Sequence, residues 1–200
     1  DGSSDQLLLP MIDWALARHC RTVPAQPTVW ADLRFLKNPP RSLPERIVAT
    51  LAYYGCDILF VHRDAENQAP ELRRRQIDED FDTVRGRFPE VRHVRVVPIR
   101  MTEAWLLADL NAITRAAGAR ALDTHLQVPP VTRLEELPDP KTALHSILRQ
   151  ASGLAGRKLK KFDVQKACYR IAEHLESFDH LMPLSAFKDF YNDTGGACRD

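Results

Sequence analysis

Asp57-Ile58-Leu59-Phe60-Val61-His62 is a nearly unbroken apolar run that follows Gly55-Cys56 and precedes the polar stretch Arg63-Asp64-Ala65-Glu66. A strand half exposed to water would alternate apolar and polar residues, so a continuous run of this length reads as a strand covered on both faces. Upstream, Ser42 and Glu45 stand at capping-box spacing ahead of Ile47, Val48, Leu51, Ala52 and Tyr54, which predicts a helix closed by Gly55. Downstream, residues 71–88 place Leu72, Ile77, Phe81, Val84 and Phe88 at helical intervals among many charges, the pattern of a solvent-facing helix. A second strand is predicted over residues 91–99, carried by Val94, Val96, Val97 and Ile99, and a helix begins near Thr102-Glu103.

Working outward, Leu7, Leu8, Met11, Ile12, Ala15 and Leu16 predict a first helix over about residues 4–20. Residues 28–36, apolar and bracketed by prolines, read as a short strand before the Pro39-Pro40 turn. Alternation of strand and helix through the first 110 or so residues indicates an α/β fold: an open, mostly parallel sheet with helices on both faces. Beyond it the strand signal fades. A loop with Pro129, Pro130, Pro138 and Pro140 leads to helices starting at Asp139-Pro140, after Asp163 and near Leu184, which together predict a helical C-terminal lobe. The expected division is an α/β domain over residues 1–125 and a helical lobe over 139–200, packed on it.

The chain has 200 residues, 28 Lys and Arg against 27 Asp and Glu, and a formal net charge of +1. That balance gives no global attraction to nucleic acid or membrane, so any anion site must be local. Apolar runs are too short to span a bilayer, and the start lacks signal-peptide order, which predicts a cytoplasmic protein without a membrane partner. The first residue is Asp rather than Met, so residues are expected to have preceded it. Cys20, Cys56, Cys168 and Cys198 form no Cys-x-x-Cys pair and are expected to be reduced. Trp14, Trp30 and Trp105 fall in elements that should pack, favouring core positions over base stacking.

In open parallel sheets ligands bind beyond the carboxyl ends of the strands. Asp64 and Glu66 follow the first long strand at i, i+2 spacing, Asp1 and Asp5 precede the first helix, and Glu103 opens the helix after the 91–99 strand. Crowded carboxylates repel one another unless protonated, solvated or neutralised by a cation, and Mg²⁺ prefers such oxygen ligands. Loop acids and helix-start acids account for the same residues without a metal. Arg63 and Arg100 flank this edge and either grip phosphate or pair with the acids. His62 is either a proton carrier or a hydrogen-bonded structural residue. Arg157, Lys158, Lys160 and Lys161 form a concentrated basic run, read as a phosphate-backbone contact or as a solvated loop between helices.

Asp1-Gly2-Ser3-Ser4-Asp5 and Asp64-Ala65-Glu66 together resemble the Toprim domain of topoisomerases, primases and related nucleases. The segment from Pro98 to Asp109, with Asp139-Pro140-Lys141, resembles a small bacterial Toprim-like family of poorly defined function associated with defence-system nucleases. The resemblance covers about residues 1–150. It implies a Toprim/Rossmann-like sheet, with Mg²⁺ (or Mn²⁺) held by Asp1, Asp64 and Glu66. It also implies proton transfer by Asp1 or Glu103, phosphate contacts from Arg63, Arg100, Lys158, Lys160 and Lys161, and nucleic acid as substrate. A protein partner in a defence complex is a further implication, and a non-catalytic module binding nucleic acid or protein is the alternative. The sequence departs from the family pattern with Asp1 in place of Glu and Glu66 in place of the second Asp.

Overall fold

The computed structural model describes residues 3–20, 28–66, 68–119, 126–175 and 177–199. A 3-10 turn, Ser3–Leu8, runs into helix α1 (Leu9–His19), which buries Met11, Ile12, Ala15 and Leu16 along one stripe. Helix α2 (Leu43–Tyr53) begins in the predicted capping box: the Glu45 N–H donates to Ser42 Oγ at 3.4 Å and the Ser42 N–H to Glu45 Oε2 at 3.2 Å. Strand β1 (Ile58–His62), helix α3 (Pro70–Arg85) and strand β2 (Arg92–Val96) then form a parallel β-α-β unit, with Ile58 opposite Arg92 and His62 opposite Val96.

Pleating sends alternate residues of β1 to opposite faces. Leu59 and Val61 meet α2 and α3 through Ile47, Leu51, Ile77, Phe81 and Val84. Ile58 and Phe60 turn instead to the main core, where Val94 and Val96 of β2 are buried too. Strand β1 is thus covered on both sides, as its unbroken apolar run predicts. The fold is mixed α/β and mostly helical, with β1 and β2 the only strands among the described residues.

The strand expected over residues 28–36 is not formed. That stretch ends in a 3-10 turn, Leu33–Phe35, where Asp32 accepts the Arg34 backbone N–H at 3.0 Å and the Arg34 guanidinium at 2.7 and 2.8 Å. A local side-chain bond of this kind gives the backbone an alternative to ladder pairing.

After β2 come α4 (Glu103–Leu106), α5 (Leu110–Ala116), α6 (Pro140–Ala151), α7 (Gly156–Lys160), α8 (Val164–His174) and α9 (Ser185–Ala197). Helices α6 and α8 carry the expected Asp caps: Asp139 accepts the Thr142 N–H and Asp163 the Lys166 N–H, both at 2.9 Å. The start of α9 is capped from a distance, the Glu135 carboxylate accepting the Ser185 and Ala186 N–H groups at 3.0 Å. Helices α6, α8 and α9 share one core with α1, α4, α5 and β2, centred on Trp105, Phe187 and Phe190. Trp14 packs against Phe178, Phe187 and Tyr191, whereas Trp30 is half-buried and carries Arg34 on its face.

At β2, Arg95 donates from Nε and Nη2 to Asp193 of α9 and from Nη1 to Asp78 of α3, each at 2.9 Å, fastening both helix layers to the strand. Cys20 and Cys198 are disulfide-bonded, with Cα atoms 5.2 Å apart, joining the ends of α1 and α9; Cys56 and Cys168 are free thiols. The expectation of four reduced cysteines is therefore corrected. Two residues 178 positions apart carry no local spacing signal, and only the packing of α1 on α9 brings them together. Among the described residues no helix is long and apolar enough to cross a membrane.

Candidate functional site

Parallel pairing continues past the strand ends, with the Arg63 N–H donating to Val96 O at 3.1 Å and the Ala65 N–H to Pro98 O at 2.9 Å. The loop after β1 is thereby held beside the segment that leads to α4. From α3, the buried Arg73 donates through Nε to the backbone oxygen of Asp64 at 3.2 Å and fixes that loop from the other side. Residues far apart in sequence meet at this carboxyl edge.

His62, the last residue of β1, is the hub. Its Nε2 lies 3.3 Å from Asp64 Oδ1 and 3.3 Å from Thr102 Oγ1, and its Nδ1 lies 3.1 Å from Asp5 Oδ1. The Asp5 approach is close but not aligned on the ring N–H axis, so it acts as an ion contact more than as a directed hydrogen bond. Burial disfavours charge on His62, but hydrogen bonding and charge from Asp5 and Asp64 outweigh it and raise its pKa. Burial likewise resists ionisation of Asp5, yet the His62 partner holds its carboxyl well below the usual range.

Glu103, the first residue of α4, has a side chain only 11% exposed, and its Oε1 faces Lys141 Nζ of α6 at 4.0 Å. Burial pushes its carboxyl pKa up and the nearby Asp64 charge adds to that push, against the pull of its own backbone N–H, Lys141 and His62. Cys168 of α8 feels the Glu103 charge; burial, with Glu103 adding, pushes the thiol up to about 12, which keeps it protonated and unreactive.

Asp64 thus contacts His62, and Glu103 lies within electrostatic reach of both. Glu66 is exposed, and its φ of 54° interrupts the extended backbone on which an i, i+2 pairing with Asp64 depends. Arg63 and Arg100 are half-buried, Arg100 with a φ of 64°. Lys158 and Lys160 sit exposed on α7 and Lys161 just after it. Asp1 lies outside the described residues. Arg73 carries no sequence pattern that marks it, and Thr102 and Lys141, though they lie in the segments that carry the family resemblance, have no spacing that assigns them a role; that signal is three-dimensional. For Asp5 the signal was its place ahead of the first helix, close to Asp1.

Among the described residues no group of three or more His, Cys, Asp or Glu is arranged to hold a metal ion. Asp64 and Glu103 lie within electrostatic reach of one another, and the buried Glu103 faces Lys141 at 4.0 Å; carboxylate oxygens are the donors a hard divalent cation prefers. Mg²⁺ takes one or two carboxylates and completes its shell with water and phosphate oxygens. No family model matches the chain, and no curated protein or solved structure matches it either.

Proposed function

We propose that this chain is a Toprim-like, Mg²⁺-dependent phosphodiester-transfer enzyme acting on nucleic acid, a nuclease in the simplest case, with a role in bacterial defence. The observation that carries the reading is the meeting of Asp64 and Thr102 at His62 on the carboxyl edge of two parallel strands, with the buried Glu103, next to Thr102, within electrostatic reach of both Asp64 and His62. Asp64 and Glu103, with Asp1 and Glu66 as the resemblance implies, would hold the cation. When bound, a divalent ion supplies Lewis acidity toward a phosphate oxygen and lowers the pKa of a coordinated water.

The protein groups do the remainder. Glu103, whose carboxyl is raised by burial, is suited to accept a proton from an attacking water near neutral pH. Asp5 and Asp64 keep His62 charged and oriented beside the phosphate position. Arg63 and Arg100 flank the same rim and grip phosphate oxygens, while Lys158, Lys160 and Lys161 hold the flanking backbone at the start of α8.

A second reading, a non-catalytic module that binds nucleic acid or a protein partner, is favoured by one specific observation. His62 and Lys141 already supply positive charge to the acids that a metal would otherwise neutralise. Incubating the protein with end-labelled DNA and RNA, single- and double-stranded, in Mg²⁺, Mn²⁺ or EDTA separates the two. The enzyme reading expects metal-dependent cleavage that Asp64→Ala abolishes. Absence of cleavage with every divalent ion, or cleavage untouched by Asp64→Ala and Glu103→Gln, hands the function to the binding reading.

A further inference from the structure

The C-terminal ends of α1 and α9 meet at a cavity of about 400 Å³, lined by Arg18 and His19 of α1, Asn192 and Gly195 of α9, and Arg199 just after it. None of these five residues is acidic, and three are cationic or titrate to a cation. The walls are fixed in place. The Cys20–Cys198 disulfide joins the residue after His19 to the residue before Arg199. The His19 and Tyr191 ring centroids lie 4.2 Å apart, and a Cβ at Gly195 would come within 2.8 Å of His19 Cε1, so the ring rests against the bare backbone of α9.

Cations near helix C-termini ordinarily answer the carbonyls there, and that need is met with donors to spare. Leu16 O accepts the Cys20 N–H at 2.7 Å and Thr194 O the Cys198 N–H at 3.1 Å. Arg199 spends Nε on Gly195 O at 3.1 Å, and Arg18 spends Nη2 on Asp179 at 2.7 Å, a carboxylate that it shares with Ser177 Oγ. A guanidinium has five N–H donors, so both forks keep donors for a ligand. His19 Nε2 makes no hydrogen bond among the described residues, so a ligand taking it breaks no existing contact. Burial holds the His19 pKa down, with the Arg199 charge adding to it against a backbone contact from Tyr191. That influence places the Arg199 charge within reach of the ring.

We propose that this cavity binds a phosphate dianion, free or as the phosphate group of a small molecule, gripped by Arg18 and Arg199 with His19 and Asn192 completing the donor set. Guanidinium forks match phosphate oxygens in paired hydrogen bonds, and two of them reward a dianion more than a monocarboxylate. The volume also leaves room for a small organic group on the phosphate. The site lies at the end of α1 opposite Asp5, apart from the acids of the carboxyl edge, and does not depend on the nuclease reading.

The test is isothermal titration calorimetry of the oxidised protein in EDTA at low salt, with sodium phosphate, a sugar phosphate and sodium acetate, beside an NMR titration of the His19 ring. Phosphate should bind and acetate far more weakly, and saturating phosphate should raise the His19 pKa, because a dianion favours the imidazolium. Arg199→Gln and Asn192→Asp should each weaken phosphate binding by about tenfold or more, the loss of one charge-assisted contact. Both positions are exposed, and matching melting curves without ligand will show that the variants fold. Tighter binding of the sugar phosphate identifies a phosphorylated small molecule as the ligand, and the reverse order free phosphate. The site is overturned by heats no larger than those of chloride at equal ionic strength, by an unmoved His19 pKa, or by variants that bind phosphate as wild type does. Asp64→Ala should leave this binding unchanged even where it abolishes cleavage; phosphate binding lost in Asp64→Ala belongs to the carboxyl edge and overturns the cavity site.

Discussion

Replacing Asp5 with Asn removes one of the two carboxylates that flank His62 while keeping nearly the same shape. With His62 and Asp5 side chains only 11% and 14% exposed and their charged atoms 3.1 Å apart, the pair is well shielded from water. Breaking a buried ion pair by deleting one partner typically costs about 3–5 kcal/mol. Here Asp64 remains at 3.3 Å to hold the imidazolium, so the expected loss is smaller, about 1–3 kcal/mol. For a chain of this size that lowers Tm by roughly 2–10 °C.

The loss depends on pH in a direction fixed by both partners. Asp5 is shifted down, so its contribution is present above the unfolded value of about 4 and disappears as pH falls through the folded value. His62 is shifted up, so its contribution is full below the unfolded value of about 6.5 and disappears as pH rises through the folded value. The two overlap between about pH 4 and 6.5, where Asp5→Asn should do the most damage. Urea unfolding of both proteins in EDTA near pH ~5.5 and pH ~9 reads the difference directly, and an NMR titration follows the His62 ring itself. Equal destabilisation at the two pH values, or a His62 that titrates at or below an ordinary histidine in wild type, would refute the charge-hub account.

Four other consequences can be checked. A Cβ at Gly195 would lie 2.8 Å from His19 Cε1, so Gly195→Ala should destabilise by about 1–3 kcal/mol in thermal melts, with most of the loss recovered by adding His19→Ala. Thiol labelling of the unreduced native protein should modify exposed Cys56 quickly and buried Cys168 only after denaturation. Cys20→Ser, which opens a loop spanning 178 positions, should reduce stability by up to about 5 kcal/mol in urea unfolding. Arg95→Met strands the Asp193 carboxylate and leaves Asp78 with His93 at 2.8 Å, and urea unfolding should show a loss of about 1–3 kcal/mol that Asp193→Asn in the same chain partly restores.

What could be read from the sequence was what neighbouring residues decide. The Ser42–Glu45 box, the apolar run of β1 and the Asp caps before α6 and α8 each act within one turn or one strand, and each appears where its signal stands. Residues 28–36 have the apolar content of a strand, but one bond from the Asp32 carboxylate to the next turn redirects the backbone. The disulfide was invisible because it depends on where two helices end in space.

The site divides along the same line. Strand–helix alternation identifies the carboxyl edge and therefore the neighbourhood of Asp64 and Glu103, but the charges that compensate them come from elsewhere. His62 is completed by Asp5, which precedes α1, and Lys141 reaches Glu103 from α6. Local spacing also pairs Asp64 with Glu66 on the assumption of extended backbone, whereas Glu66 itself has a φ of 54°. The compensation is uneven, and that unevenness has a mechanistic consequence. His62 is gripped at 3.1 and 3.3 Å, whereas Lys141 stands off Glu103 at 4.0 Å. A cation or a phosphate entering this edge therefore displaces least by competing at Glu103, where the existing contact is weakest and the burial of the carboxyl is least relieved. Chemistry at this rim should consequently be more sensitive to Glu103 and Lys141 than to the tightly held His62 pair, an order that local sequence spacing alone does not supply.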